Sequence, residues 1–330
     1  MAAKAMHRPY DGLSPEVMIA AIEAAGFCCD GRELALNSYE NRVYQIGIED
    51  GPPIVAKFYR PGRWTDEQIR EEHAFAWELA DQEIPVVPPM RFDGRSLLTH
   101  EGFRYAIYPR RGGRWPDLES EDVRLWLGRF LGRIHRVGSA RPFAARPLLT
   151  VDEFGWQARA FLLENDWLPG HIAKPYESLS HELLDRIENV LGEVGELYLL
   201  RLHGDCHPGN ILWTDDGPHF VDLDDSRMGP AVQDLWMLLS GERDEMALQL
   251  ADILRGYQEF HDFDFRELRL IEVLRTLRMM HYEAWIARRW QDPAFPRAFP
   301  WFEDNRHWEE HLLMLKEQAA LIDEMPLPMS

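Results

Sequence analysis

The sequence predicts an α+β fold in two lobes, a small antiparallel sheet followed by a larger, mainly helical part. Three observations carry that expectation. The chain has 330 residues, more than the roughly 250–300 at which a single hydrophobic core stops growing. Up to Tyr108 its apolar residues come in short strand-like runs bounded by Asn, Asp, Gly and Pro, and beyond Pro109-Arg-Arg-Gly-Gly113 they recur at helical spacing. Late in the helical part, the stretch from Arg201 to Asp225 reverts to loop, strand, turn and strand. The boundary is expected after Tyr108, dividing the chain into 1–108 and 109–330.

The elements follow in order. Leu13 to Ala25 read as a helix, with Ser14 as its cap, Pro15 at the first helical position and Gly26 as its stop. Leu34 to Ile48 read as two strand pieces around the polar turn Asn37-Ser38-Tyr39-Glu40-Asn41. The run Pro53-Ile-Val-Ala-Lys57-Phe-Tyr sets one lysine among apolar and aromatic neighbours. A buried ammonium is costly unless paired, so Lys57 must meet a carboxylate or a phosphate. The helix expected over Asp66 to Ala80 offers Glu71 and Glu72. Glu72 shares a face with Phe75, Ala76 and Leu79 and is expected to point inward to Lys57, with Glu71 as the other candidate. Pro85-Val-Val-Pro-Pro89 ends that helix. Arg91-Phe-Asp-Gly94 and Ser96 to Thr99 read as a hairpin with Asp-Gly at its turn, and Gly102 to Tyr108 as the next strand.

Past the boundary, Ser120 caps a helix reaching His135, with an apolar stripe at Val123, Leu127, Phe130, Leu131 and Ile134. His135 reads as a histidine that suits the helix dipole or bonds into the core. Gly155 to Leu168, Leu179 to Val194, Ile253 to Phe260 and Phe265 to Arg289 continue as helices. The aromatic insert Asp292 to Trp301 reads as core packing.

Arg201-Leu-His-Gly-Asp205-Cys-His-Pro-Gly-Asn210, followed by Phe220-Val-Asp222-Leu-Asp-Asp, puts two carboxylates and an amide at the ends of short strands, where they can converge. In phosphoryl transfer the protein's work is positioning and charge stabilisation. One Asp orients the attacking hydroxyl and accepts its proton, an Asn five residues on holds Mg²⁺, and a later Asp holds Mg²⁺ bridging the β- and γ-phosphates. His203, Asp205 and Asn210 meet the pattern H-x-D-x-x-x-x-N, and Asp222 follows at a strand-sized interval. Asp224 and Asp225 crowd the same place with negative charge, which calls for a cation. They read as spare metal contacts or their supports. Asp234 reads as a helix N-terminal acid or as the holder of the catalytic loop, and His203 as a residue orienting that loop.

The loop H-G-D-x-H-x-G-N-I-L-W, the run V-D-L-D-D and Gly229-Pro-x-x-x-Asp234-Leu-Trp together resemble the aminoglycoside phosphotransferase and choline kinase branch of the protein-kinase-like superfamily. With Asn37 to Gln45 and Ala56-Lys57-Phe-Tyr-Arg-Pro61 added, the chain is similar over nearly its whole length to the bacterial stress response kinase A family. The resemblance implies a two-lobed protein-kinase-like fold that uses ATP and Mg²⁺, with nucleotide binding in 1–108 and the catalytic and acceptor site in 109–330. It implies Asp205 and Asp222 as catalytic residues, and Asn210 and Asp222 as metal ligands. It further implies Lys57 with Glu72 positioning the α- and β-phosphates, and the turn at Ser38 lying over the phosphates without the glycines of a G-x-G-x-x-G loop. The adenine-reading main chain is implied within Tyr105 to Tyr108, at Tyr105 and Ile107, and acceptor contacts at Arg288 and Arg289. The implied acceptor is a Ser or Thr hydroxyl of a protein, and the implied setting a cytoplasmic monomer serving stress tolerance.

Three departures bear on this: His-Gly-Asp replaces His-Arg-Asp, Asp-Leu-Asp replaces Asp-Phe-Gly, and Asp222 to Gly229 leaves no room for a long activation loop. A small-molecule alcohol, sugar or aminoglycoside kinase would share every catalytic residue and differ only in the acceptor cleft. A pseudokinase is disfavoured by the presence of Lys57, Asp205, Asn210 and Asp222. A metallophosphoesterase needs an upstream D-x-H and a downstream G-H-x-H, and neither occurs.

Composition narrows the partners. A formal charge of −20 repels polyanions, which argues against nucleic acid and anionic membrane. Three cysteines, two of them adjacent, fit neither a disulfide framework nor a zinc site. No basic-then-apolar leader and no spanning run stands in the sequence, so an untargeted, soluble chain is expected.

Overall fold

The computed structural model describes residues 9–36 and 38–328. Along the chain it runs α1 (Pro15–Ala24), β1 (Cys29–Ala35), β2 (Arg42–Ile48), β3 (Ile54–Phe58), α2 (Asp66–Asp81), β4 (Leu98–His100), β5 (Phe103–Pro109), α3 (Glu121–Gly138), α4 (Gln157–Glu164), α5 (Gly170–Val194), β6 (Leu200–Leu202), β7 (Ile211–Thr214), β8 (Gly217–Phe220), β9 (Arg227–Gly229), α6 (Gln233–Trp236), α7 (Arg243–Tyr257), α8 (Ile271–Arg289), α9 (Ala294–Ala298) and α10 (Asn305–Leu321). The fold is α+β, as expected, and divides into two compact units. One holds the described residues up to Pro116 together with Ala144–Arg146 and Gly209–Asp224, and the other holds Asp117–Phe143, Pro147–Pro208 and the described residues from Asp225 onward.

This division is not the single cut after Tyr108. The β7–β8 hairpin belongs with the first unit because its backbone bonds are made there. The Phe220 N–H donates to the Pro85 carbonyl at 2.8 Å, and Arg114 and Trp213 exchange N–H to carbonyl bonds at 3.0 and 2.7 Å.

The first unit is built on an antiparallel sheet of order β1-β2-β3-β5-β4. Strand alternation sends Ile54, Ala56, Phe58, Tyr105 and Ile107 to one face, where Met18, Ala21 and Ile22 of α1 cover them. Ser14 caps that helix, its hydroxyl accepting the Val17 N–H at 3.4 Å. Tyr59 and Ala106 pack on the other side with Ile69 of α2. There Thr65 and Gln68 form a reciprocal capping box at the start of the helix. β1 begins at Cys29, five residues before the apolar pattern starts at Leu34. It is an edge strand, and its polar side chains face solvent at no cost. The Asp93-Gly94 turn has positive φ at both residues but closes only the Phe92–Arg95 bridge. Glu101-Gly102, likewise positive, makes the β4–β5 hairpin.

In the second unit, α3 and α7 pack at close range because three glycines let their backbones approach. A methyl group at Gly128, Gly132 or Gly256 would run into the carbonyl of Ile253, Tyr257 or Leu125 respectively. The 25-residue α5 buries Tyr176, Leu183, Leu184 and Ile187, each worth about 1.5–3 kcal/mol when fully removed from water. β6 and β9 form a short antiparallel pair. Among the described residues no helix is long and apolar enough to cross a membrane. All three cysteines are free.

Candidate active site

The β7–β8 hairpin sets Asn210 and Asp222 side by side. Asn210 precedes β7, Asp222 lies two residues past β8, and the Val221 N–H donates to the Asn210 carbonyl at 3.0 Å. Asp222 has φ +60°, the left-handed region that Asp enters more readily than most residues, and its side chain is 49% exposed.

Lys57 comes to this place from the middle of β3, paired with Val43 on β2 and Ala106 on β5. Its ammonium lies 2.8 Å from Asp222 Oδ1 and 3.0 Å from Asp224 Oδ1. Burial opposes the charge, but Asp222, Asp224 and Glu72 outweigh it and hold the Lys57 pKa well above that of an ordinary lysine.

The expected Lys57–Glu72 pair therefore takes a different form. Glu72 does point inward and is buried, yet the direct ion pairs of Lys57 go to the two aspartates, and Glu72 Oε2 has no hydrogen-bond partner. Burial pushes the Glu72 carboxyl up to about 7, against the pull of Lys57 and with Asp224 adding repulsion. Glu71 is excluded as an alternative partner. Its carboxylate accepts the backbone N–H groups of Ala144, Ala145 and Arg146, the last two at 2.8 Å.

Asp224 is an anchor rather than a spare ligand. It is 2% exposed, accepts from Asn41 Nδ2 at 3.1 Å and from Arg63, and its carbonyl accepts from Arg146. Asn41 is thereby committed, since its Oδ1 also takes the Arg60 N–H at 3.1 Å. In the expected phosphate-covering turn, Asn37 lies outside the described residues, Ser38 is half-buried and Glu40 and Asn41 are buried.

At the positions expected to read adenine, the strand is paired on both sides. Tyr105 is paired with Phe58 on one side and Leu98 on the other, and its hydroxyl donates to the Ala21 carbonyl at 2.6 Å on the α1 face. The Ile107 carbonyl accepts the Met90 N–H at 2.7 Å. A main chain already engaged in this way has little left for a base edge.

In the other unit, the loop carrying Asp205 hangs on Asp234. The Asp234 carboxylate accepts the N–H groups of His203 and Gly204, each at 2.8 Å, and meets His135 Nε2 at 3.0 Å. His135 Nδ1 in turn lies 2.9 Å from the Tyr257 hydroxyl. Burial works against the Asp234 charge, but the bonds from His135 and the loop bring its pKa below the usual carboxylate range. Both readings open for Asp234 meet here: it lies in the first turn of α6, and its carboxylate holds the loop that carries Asp205. Glycine is required at 204: φ is +87°, and a methyl there would overlap the Asp225 carbonyl. That explains the departure from His-Arg-Asp.

Asp205 itself faces Arg278 of α8, with Arg278 Nη1 2.7 Å from Asp205 Oδ1, and His207 Nε2 stands 3.6 Å from Oδ2. Sequence reasoning missed Arg278. The signal for it in the sequence is its place on the same helix as Arg288 and Arg289.

The donor set fits a hard cation. Among the described residues no three His, Cys, Asp or Glu side chains form a closed metal cage. Mg²⁺ commonly takes one or two protein oxygens and completes its shell with water and substrate phosphates, which is what an Asn and an adjacent, half-exposed Asp can offer. The Lys57 ammonium donates to Asp222 Oδ1 at 2.8 Å, and Asp224 Oδ1 stands 3.0 Å away.

The chain matches the phosphotransferase enzyme family over residues 32–271. It is 44% identical over 321 residues, 97% of each chain, to the serine/threonine protein kinase RdoA of Salmonella typhimurium (strain LT2). It is 43% identical, at the same coverage, to stress response kinase A of Escherichia coli (strain K12). Among solved structures it is similar to the amicoumacin kinase hAmiN in complex with AMP-PNP and Ca²⁺, with a TM-score of 0.74, 17% identity and 98% of both chains covered. A spectinomycin phosphotransferase in complex with ADP follows with a TM-score of 0.62, 15% identity, and 87% and 93% of the two chains covered. With a family match over most of its length and relatives of this identity and coverage, the chain belongs to the phosphotransferase enzyme family and, within it, to the stress response kinase A group.

Proposed function

We propose that this phosphotransferase moves the γ-phosphate of Mg-ATP to a Ser or Thr hydroxyl of a protein. The observation that carries the reading is the Lys57 ammonium at 2.8 and 3.0 Å from Asp222 and Asp224, the first of which follows the strand paired to the one after Asn210. A buried lysine poised on two carboxylates next to an amide is the equipment for a polyphosphate and its cation. The names of the curated relatives support the protein acceptor.

Each residue has a task. Asn210 and Asp222 hold the cation, which supplies charge neutralisation for the phosphates. Lys57 donates to phosphate oxygens, with Asp222 and Asp224 balancing its charge and Glu72 buried behind it. Ser38 and its neighbours lie over the phosphates. The adenine is read by main chain past Pro109, where strand pairing ends. Asp205 orients the acceptor hydroxyl and takes its proton as the new O–P bond forms and the bond to the β-phosphate oxygen breaks, with ADP leaving. His203, held with Gly204 on Asp234, keeps Asp205 in place. The chain acts as a monomer in the cytoplasm, with nucleotide binding in the N-terminal lobe.

Transfer of labelled γ-phosphate, run in parallel on protein substrates, on the enzyme itself and on a panel of small alcohols and sugars, tests this. Label on Ser or Thr of protein is the expected result. Label confined to a small alcohol or amino sugar would replace the protein acceptor with that class.

A further inference from the structure

The accessible side of α8 differs in charge from the chain as a whole. The sequence has 56 acidic residues against 36 basic, yet both carboxylates of this helix, Glu272 and Glu283, are buried at 9% and 4% exposure. Its exposed and half-buried side chains include Arg275, Arg278, Arg288 and Arg289, interleaved with Tyr282 and Trp285. At 100° per residue these six fall within an arc of about 140°. Arg278 and Arg288 are separated by about 15 Å along the axis, at 1.5 Å per residue.

The same face reaches the proposed base. Arg278 Nη1 is 2.7 Å from Asp205 Oδ1. When Asp205 accepts a proton it ceases to be an anion, and Arg278 then loses its partner. An acceptor with a carboxylate beside its hydroxyl would supply a new one. Other acids nearby are engaged: Asp225 and Glu153 pair with Arg227 at 3.3 and 3.7 Å. His281, on the same side of α8, stacks on Phe154 at 4.3 Å, and its buried Nδ1 has no hydrogen-bond partner.

We propose that α8 is the acceptor-recognition surface and selects a Ser or Thr within an acidic segment, with a carboxylate next to the hydroxyl on Arg278 and a further one on Arg288. The proposal rests on the protein-kinase reading above and narrows its substrate class. The net charge of −20 does not oppose it at contact, because fields are screened over about 8 Å at physiological salt. A polycationic amino sugar, by contrast, would meet the guanidinium groups of Arg278 and Arg288, while Arg275 is paired with Glu272 at 3.4 Å.

The test uses the full chain with labelled ATP and three Ser peptides flanked by acidic, neutral or basic residues, together with a polyamine sugar. The acidic peptide is expected to exceed the basic one in kcat/KM by at least about tenfold, the scale of one or two charge-assisted contacts. That ratio should fall toward one in Arg278→Gln, and should fall or invert in Arg288→Glu, a variant remote from Asp205. A wild-type ratio at or below one, preference for the amino sugar, or an unchanged ratio in Arg288→Glu overturns the proposal. Equal transfer to all three peptides overturns this proposal and leaves the kinase reading standing. Absence of transfer to any acceptor sinks the kinase reading, and this proposal with it.

Discussion

The Asp234 carboxylate accepts the Gly204 N–H at 2.8 Å across 30 residues of sequence, fixing the backbone immediately before Asp205. The same carboxylate meets His203 N–H and His135, so one fully buried side chain holds the loop to the helical core. Removing one member of a buried charged network costs about 3–5 kcal/mol. Asp234→Ala is expected to lose that much in urea unfolding, and to lose transfer with little change in ATP affinity. A variant of wild-type stability would show the network to be dispensable.

Gly204 makes a related prediction. A side chain at φ +87° is strained, and its methyl would overlap the Asp225 carbonyl. Gly204→Ala should therefore be less stable by at least about 1–2 kcal/mol, the left-handed penalty alone. Thermal unfolding with an unshifted midpoint would contradict the backbone geometry.

Asp205 and Asp222 should separate in binding experiments. Asp205→Asn is expected to lower transfer by about 10²–10⁴, the worth of a general base, while Mg-ATP binding stays nearly intact. Asp222→Asn is expected to weaken Mg-dependent nucleotide binding at least about tenfold. Calorimetric titration giving both variants the same affinity would refute the division of roles.

Glu72 gives stability a pH dependence. Its carboxyl is raised from 4.5 to about 7 in the folded chain, with burial as the leading cause. Its contribution is therefore fully present below the unfolded value and lost as pH rises through the folded one. Glu72→Gln lacks this titration, so it should gain on the wild type between pH 4.5 and 8. A constant stability difference over that range would remove the effect.

Ser38 tests the turn over the phosphates. A charge there would repel the nucleotide, so Ser38→Asp should bind ATP more weakly while Ser38→Ala loses much less. If Ser38→Asp binds as tightly as the wild type, the phosphate cover lies elsewhere in this unit.

Much of this protein was settled by its sequence. Local periodicity determined the helices capped by Ser14, Thr65 and Ser120, because a helix is built from contacts three and four residues apart. The spacing of Asp205, Asn210 and Asp222 marked the phosphotransfer chemistry, since that loop carries its functional groups within one short stretch. The inward orientation of Glu72 was legible for the same reason.

Only the tertiary structure decided which charges meet. Lys57 pairs with residues 165 and 167 positions away, and Asp224 accepts from Asn41 and Arg63. Glu71, identical in type to its neighbour, caps three backbone N–H groups of a distant loop. Arg278 reaches Asp205 from a helix that carries no motif of its own. Nothing local distinguishes such residues from solvated surface charges. Burial raises the cost of every unpaired charge, so the packed chain fixes each partner by proximity, and one-dimensional spacing does not encode that proximity.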